Sequence, residues 1–221
     1  MGDPVKPRGS RSRATRRKIT DAATERFVVD GYSATTLEAI AARAGVAVQT
    51  VYFHFGNKST VLKEAVDIAA VGDDQPVAML DRPWLEQARA EPDPHQVIAL
   101  WTSYGRGVLT RVGPIMKVVR DAAAVDPLMA EQWAANEAQT ASAFRVLAEQ
   151  LDAMNVLRVP VEEAVAILCA LSGLDVYLSL AARGWTPQRW ERFVVDSLTH
   201  ALLRAERGRT PVAAGGRTVP G

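Results

Sequence analysis

The chain has 221 residues, 48% of them hydrophobic, and a formal net charge of +1; this excludes wholesale disorder and allows one large or two modest domains with a sizeable core. A single cysteine, Cys169, excludes an intramolecular disulfide and any multi-cysteine zinc site, and suits a reducing cytosol. The near-neutral total hides an asymmetry: residues 1–60 hold ten Lys/Arg against five Asp/Glu, the remainder sixteen against twenty, as in a polyanion-binding module on a mildly acidic body or a solvated basic tail.

Residues 1–13 mix Pro, Gly, Ser and Arg, which predicts a flexible basic arm and lacks the apolar run of a secretory signal. From Thr15 to Val29, Ile19, Ala22, Ala23 and Phe27 recur at helical spacing, and Asp30-Gly31 stops that helix. Thr35-Thr36-Leu37-Glu38 has the form of a capping box with Thr35 as the cap. It opens a short helix, Thr36 to Ala44, that Gly45 closes, and a second follows from Ala47 to Phe53. Asn57 caps the next, Lys58 to about Ala70. Gly72 to Pro76 reads as a domain junction, and Met79 to Ala90 is ambiguous, with room for a short helix around Trp84.

In the second half, Pro92-Asp93-Pro94 predicts a helix from about His95 to Arg111, and Gly113-Pro114 the start of another ending near Val125. Asp126-Pro127 caps a long helix to Met154, with proline in its favoured first turn. Pro160 to Arg183 is an apolar helix. Thr186-Pro187 opens the last one, whose Trp190, Phe193, Val194, Ser197, Leu198, Ala201 and Leu202 form an unbroken stripe. Residues 207–221 are Gly-, Pro- and Arg-rich and predict a disordered tail. No strand alternation appears, so the fold class is all-α with about nine or ten helices. The 19 residues from Ala164 to Ala182 approach a bilayer-spanning length, but Asp175 near their middle would be costly in lipid; a helix buried on both sides explains the composition without a membrane.

Residues 36–55 read TLEAIAARAGVAVQTVYFHF, two short helices joined by a tight glycine turn, the sequence form of a helix-turn-helix. Leu37, Ile40 and Ala41 pack the first helix, Val46 plugs the turn and Val51 holds the second down, leaving Val48, Gln49, Thr50, Phe53 and His54 outward. The segment resembles the DNA-binding domain of the tetracycline-repressor (TetR) family over about residues 15–65. The resemblance rests on Gly31-Tyr32, Thr35-Thr36, Ile40-Ala41-Ala42-Arg43-Ala44-Gly45-Val46, Thr50-Val51-Tyr52-Phe53-His54-Phe55 and Lys58. Two positions depart from it. Ala47 stands where the family often has serine, at a cost of about 1 kcal/mol of capping, and Gln49 replaces a residue that is often small.

The resemblance implies an N-terminal three-helix DNA-binding domain over residues 14–60 and a helical ligand-binding and dimerisation domain over 61–206. It implies that Thr36, Thr50, Tyr52, His54 and Lys58 contact phosphates while Val48 and Gln49 read base edges. Arg11, Arg13, Arg16 and Arg17 would enter the minor groove or follow the backbone. Each also has a plainer role: Tyr52 in a core, His54 on a surface, the arginines as solvated charge. The partners implied are double-stranded DNA, a small hydrophobic or aromatic effector, and a second copy of the chain through helices 160–183 and 186–206. Trp84, Trp101, Tyr104, Met116, Val119, Trp133, Phe144 and Tyr177 are ligand candidates by size and apolarity, and core candidates on the same grounds. Asp175 in its apolar helix needs Arg106, Arg111, Arg120 or a cationic ligand group. Three histidines without a His-Glu-x-x-His, P-loop or Gly-x-Ser-x-Gly signature point away from an enzyme, and no cofactor or metal is called for. The expectation is a cytoplasmic, ligand-released repressor of a palindromic operator; the alternative is a helical small-molecule binder without DNA binding.

Overall fold

The computed structural model describes residues 8–71 and 83–205. Among them are ten α-helices and no strand. These are α1 (Arg8–Ala34), α2 (Leu37–Ala44), α3 (Val48–Phe55), α4 (Lys58–Val71), α5 (Pro83–Ala90), α6 (Pro94–Ala122), α7 (Pro127–Ala153), α8 (Val161–Ser172), α9 (Leu174–Ala181) and α10 (Pro187–Leu202). The junction at 72–76 and the tail at 207–221 lie outside the described residues. Helix α1 begins at Arg8 and so reaches into the stretch read as an arm.

Helix α1 turns sharply at Gly31, whose φ of 80° and ψ of 170° suit glycine and few other residues. The predicted capping box is displaced by one residue. Thr36, not Thr35, caps α2 by accepting from Ala39 N at 3.1 Å. Thr35 is buried with its hydroxyl turned back to donate to the carbonyls of Gly31 (2.8 Å) and Arg26 (3.2 Å), so it serves the end of α1, and the Thr36 oxygen serves as the acceptor at the start of α2. Gly45, at φ 62°, ends α2 with its N–H on the carbonyls of Ala41 and Ala42.

Two apolar cores follow. The first joins Ile19, Phe27, Leu37, Ile40, Val51, Phe55, Val61 and Leu62 to Ile115, Met116 and Val119 of α6 and Met129 of α7. The second joins Leu85, Val97, Ile98 and Trp101 to Leu147, Leu151, Leu168, Tyr177, Trp190, Val194, Leu198 and Leu202. Of the predicted stripe of α10, Trp190, Val194, Leu198 and Leu202 are buried, whereas Phe193 is exposed (37%).

The two helices expected over 95–125 are one. Helix α6 continues through Gly113-Pro114 to Ala122. An interior proline costs about 3 kcal/mol. Burying Val112, Ile115, Met116 and Val119 returns about 1.5–3 kcal/mol each, so continuation wins.

The opposite correction applies to residues 160–183. The stretch Val161–Ala181 is long and apolar enough to cross a membrane by length and composition, but it is two helices, because Gly173 adopts an extended backbone (φ −69°, ψ 162°). The break re-aims Tyr177 into the second core, its ring edge-on to Trp190 at 5.4 Å. A Cβ at Gly173 would lie 2.6 Å from the carbonyl oxygen of Cys169. Gly173→Ala is therefore expected to lower stability by about 1–3 kcal/mol, read as a lower Cm in urea.

Candidate nucleic-acid interface

Helix α3 is held from beneath by Val51 (0% exposed) and Phe55 (5%). Its outer face carries Gln49, Tyr52 (49% exposed) and Phe53 (85%). Val48 and Thr50 are half-buried, and Val48 also packs against the first core. No side chain caps α3 at Ala47, the consequence of having alanine there. Thr36 is exposed at the start of α2 with its oxygen on Ala39 N.

Arg16 is placed differently from an arm residue reaching outward. Its Nε and Nη2 each lie 2.5 Å from the Glu64 carboxylate, its Nη1 donates to the His54 carbonyl at 3.1 Å, and its guanidinium stands 4.6 Å from the Phe55 ring centroid. The bidentate pair pushes the Arg16 pKa up and holds Glu64 below the usual carboxylate range, the hydrogen bonds outweighing burial in both. Arg16 thus ties α1 to the end of α3 and to α4. Arg17 is exposed and pairs with Asp21 one turn on, at 3.0 Å. Arg13 is exposed. The His54 ring sits edge-on to Phe53 at 5.3 Å.

Lys58 stands at the first position of α4. Its ammonium donates to the Tyr32 carbonyl at 2.7 Å and lies 4.2 Å from the centroid of the Tyr32 ring. Burial pulls its pKa down and Asp126 pulls it back. Beside it, the Tyr32 hydroxyl donates to Asp126 Oδ2, and Ser59 Oγ lies 2.7 Å from that hydroxyl and 2.6 Å from the same carboxylate oxygen. Asp126 Oδ1 meanwhile accepts from Leu128 N (3.0 Å) and Met129 N (3.3 Å), the predicted cap of α7. Burial opposes the charge on Asp126, but the hydrogen bonds from Ser59, Tyr32 and the two amides outweigh it and lower its pKa. Asn57 caps α4 by accepting from Thr60 N at 2.8 Å. Sequence reasoning reached Gly31-Tyr32 and Asp126-Pro127 separately, but nothing local joins residues so far apart. Glu64 and Ser59 carried no signal.

The ligand candidates fall into two groups. Trp84 stacks on Tyr104 at 4.0 Å and meets Trp101 edge-on at 5.1 Å, both contacts against the second core, where Phe144 also packs. The indole nitrogens of Trp84 and Trp101 are buried without a hydrogen-bond partner among the described residues. Met116 and Val119 are instead fully buried in the first core, against which Trp133 packs. Tyr177 reaches Thr110 through their hydroxyls at 3.3 Å. Asp175 is 68% exposed at its side chain and paired with Arg120; Arg106 pairs with Glu191 instead, at 2.7 Å. A groove of about 570 Å³ at another edge of the body is lined by Arg89, Glu91, Gln150, Met154 and Val156 among others, and by none of the ligand candidates.

Residues 19–65 match the family described as bacterial regulatory proteins, tetR family. The HTH-type transcriptional regulator SrpR of Pseudomonas putida is 51% identical over 49 residues; that alignment covers 22% of this chain and 23% of the relative, so the chain matches under a quarter of that relative's length. NalD of Pseudomonas aeruginosa, described as the secondary repressor of the MexAB-OprM multidrug efflux pump, superposes with a TM-score of 0.64 at 25% identity, over 88% of this chain and 98% of that one. A SmeT–triclosan complex superposes with a TM-score of 0.66 at 23% identity, over 87% and 93%. The matched family consists of regulators, not enzymes.

Burial and the Asp126 hydrogen bond push the Tyr32 phenol from about 10 up to about 12. Because the folded value is raised, the associated stability is complete below pH 10 and is lost as the pH climbs toward 12. Alkaline titration of tyrosinate absorbance is expected to show one phenol ionising near pH 12, and Asp126→Asn to shift that ionisation downward.

Proposed function

Because the chain belongs to the TetR family of bacterial regulatory proteins, we propose that this transcriptional regulator is a repressor that binds a palindromic operator as a homodimer and releases it when a small hydrophobic ligand enters its body. The observation that carries the reading is helix α3: anchored by Val51 and Phe55, it leaves Gln49, Tyr52 and Phe53 uncovered on one face, as a helix entering the major groove requires. Gln49 reads a base edge, with a glutamine's preference for adenine, and Val48 offers an apolar contact to a thymine methyl. Thr36, Thr50, Tyr52, His54 and Lys58 bind phosphates and set the register. Arg17, exposed on α1, would follow the phosphate backbone; Arg16 serves by holding α3 and α4 in place.

We assign residues 14–60 to DNA binding and 61–206 to ligand binding and dimerisation. Two identical reading heads on one duplex imply a two-fold dimer. The segment from Val161 to Ala181 supports the assignment of its face: only 22% of its apolar 18-residue window is buried within the chain, so a partner is needed to cover the rest, with α10 alongside. The stacked Trp84, Tyr104 and edge-on Trp101, with two unpartnered indole N–H groups, favour an aromatic ligand carrying an acceptor. The likeness to a triclosan-bound protein and to an efflux-pump repressor agrees with that class. Ligand would act by favouring a separation of the two heads that does not fit successive grooves. Such a protein works in the cytoplasm.

The test is selection of duplexes from a random pool by the purified protein. A palindromic site bound with steep salt dependence is expected, and light scattering should give twice 23.9 kDa. Gln49→Ala should cost about 1–3 kcal/mol and relax preference at one base pair per half-site, with little change in salt slope. Failure to enrich any palindromic duplex would remove the regulator reading.

A further inference from the structure

We propose that Asp126 is a positioning residue for DNA binding: through Tyr32 and Ser59 it clamps the start of α4, and with it Lys58, to the corner between α6 and α7. The proposal rests on the regulator reading above and adds a residue that never touches the duplex.

Among the described residues, the hydrogen bonds and ion pairs that join residues 8–71 to residues 83–205 all end on the Asp126 carboxylate. The rest of that junction is the first apolar core, which holds Ile115, Met116 and Val119 together with Phe27 and Leu62. Apolar burial is non-directional, and the hydrogen bonds to Asp126 add a directional restraint to it. Asp126 is built for it, because its two oxygens divide the work. Oδ1 is spent on the amides of Leu128 and Met129 and so belongs to α7; Oδ2 takes Tyr32 and Ser59 and so belongs to the N-terminal unit. Tyr32 and Ser59 each direct their one hydroxyl proton to Oδ2, which makes that oxygen the common acceptor of the cluster.

The clamp acts next to the candidate phosphate contact. Ser59 follows Lys58 in sequence, and Tyr32 holds Lys58 through its carbonyl and its ring. One ammonium proton is used there, which leaves two for a phosphate. Only Gly56 and Asn57 separate α3 from Lys58, so the placement of Ser59 is also the placement of the end of α3. The turn at Gly31 delivers Tyr32 to this point, and its ring leans on Phe27 at 6.0 Å.

A residue serving only as the cap of α7 would behave differently, and two variants separate the roles without touching the cap. Tyr32→Phe keeps the ring and carbonyl that hold Lys58; Ser59→Ala removes the second hydroxyl. In the full-length double variant, amide exchange over residues 58–62 should quicken roughly tenfold while residues 128–132 keep their protection. Affinity for the duplex selected by the wild type should fall roughly tenfold with a smaller salt slope, and Lys58→Ala should then cost much less than it costs alone. Ser59→Thr, which keeps the hydroxyl, should restore binding relative to Ser59→Ala. Unchanged exchange over 58–62, or a Lys58→Ala cost that is the same in both backgrounds, overturns the proposal and leaves the regulator reading standing. If the wild type itself binds no duplex, the regulator reading falls and this role falls with it.

Discussion

Helix α6 has to satisfy two cores at once, and the remainder of the molecule is arranged around that demand. Its first half puts Val97, Ile98 and Trp101 among the helices of the body; its second half puts Val112, Ile115, Met116 and Val119 beneath the N-terminal helices. The length needed to reach both is why a proline is tolerated inside it. A break at Gly113-Pro114 would relieve the local cost and uncouple the two cores, and the apolar area buried on the far side outweighs it. Without this rod, the unit carrying α3 would have no fixed relation to α8, α9 and α10 of the body.

Apolar packing supplies the strength of that junction, and hydrogen bonds to charged groups add direction. The C-terminal end of α3 and the start of α4 are tied by two ionised side chains that are themselves fully engaged. Arg16 gathers the His54 carbonyl, Glu64 and the Phe55 ring on one side. Asp126 gathers Tyr32, Ser59 and two amides of α7 on the other. Both are partly shielded from water, so their hydrogen bonds are worth more than those of exposed pairs such as Arg17–Asp21 or Lys63–Asp67. The exposed face of α3 is thereby held from behind without any of its outward groups being consumed.

The body shows the same economy in its apolar surfaces. The break at Gly173 lets one apolar stretch serve two directions: α8 supplies Ala164, Val165 and Leu168 to the second core, and α9 turns Tyr177 inward against Gly113 and Trp190. What remains outside includes the small apolar Ala166, Ala170 and Ala181 beside the polar Glu162, Glu163, Asp175 and Ser179. Arg120 reaches Asp175 just beyond the break, so the carboxylate that looked anomalous in an apolar run sits at the rim with a partner.

The sequence by itself determined whatever is decided within a turn or two of helix. The glycine turn at Gly45, the caps at Asn57, Asp126 and Thr186, the buried part of the α10 stripe and the inner residues of α3 all follow from spacings of three and four and from side chains that bond their own backbone. The tertiary structure alone decided the rest. It sent the proton of Thr35 back to α1 and left Thr36 to cap α2, carried α6 through Pro114, broke the apolar helix at Gly173, and divided the aromatic candidates between two cores. It also turned Arg16 inward and brought Tyr32, Ser59 and Asp126 to one point. Each of these outcomes weighs a local preference of about 1–3 kcal/mol against contacts with residues tens of positions away, and such contacts leave no mark on the local pattern.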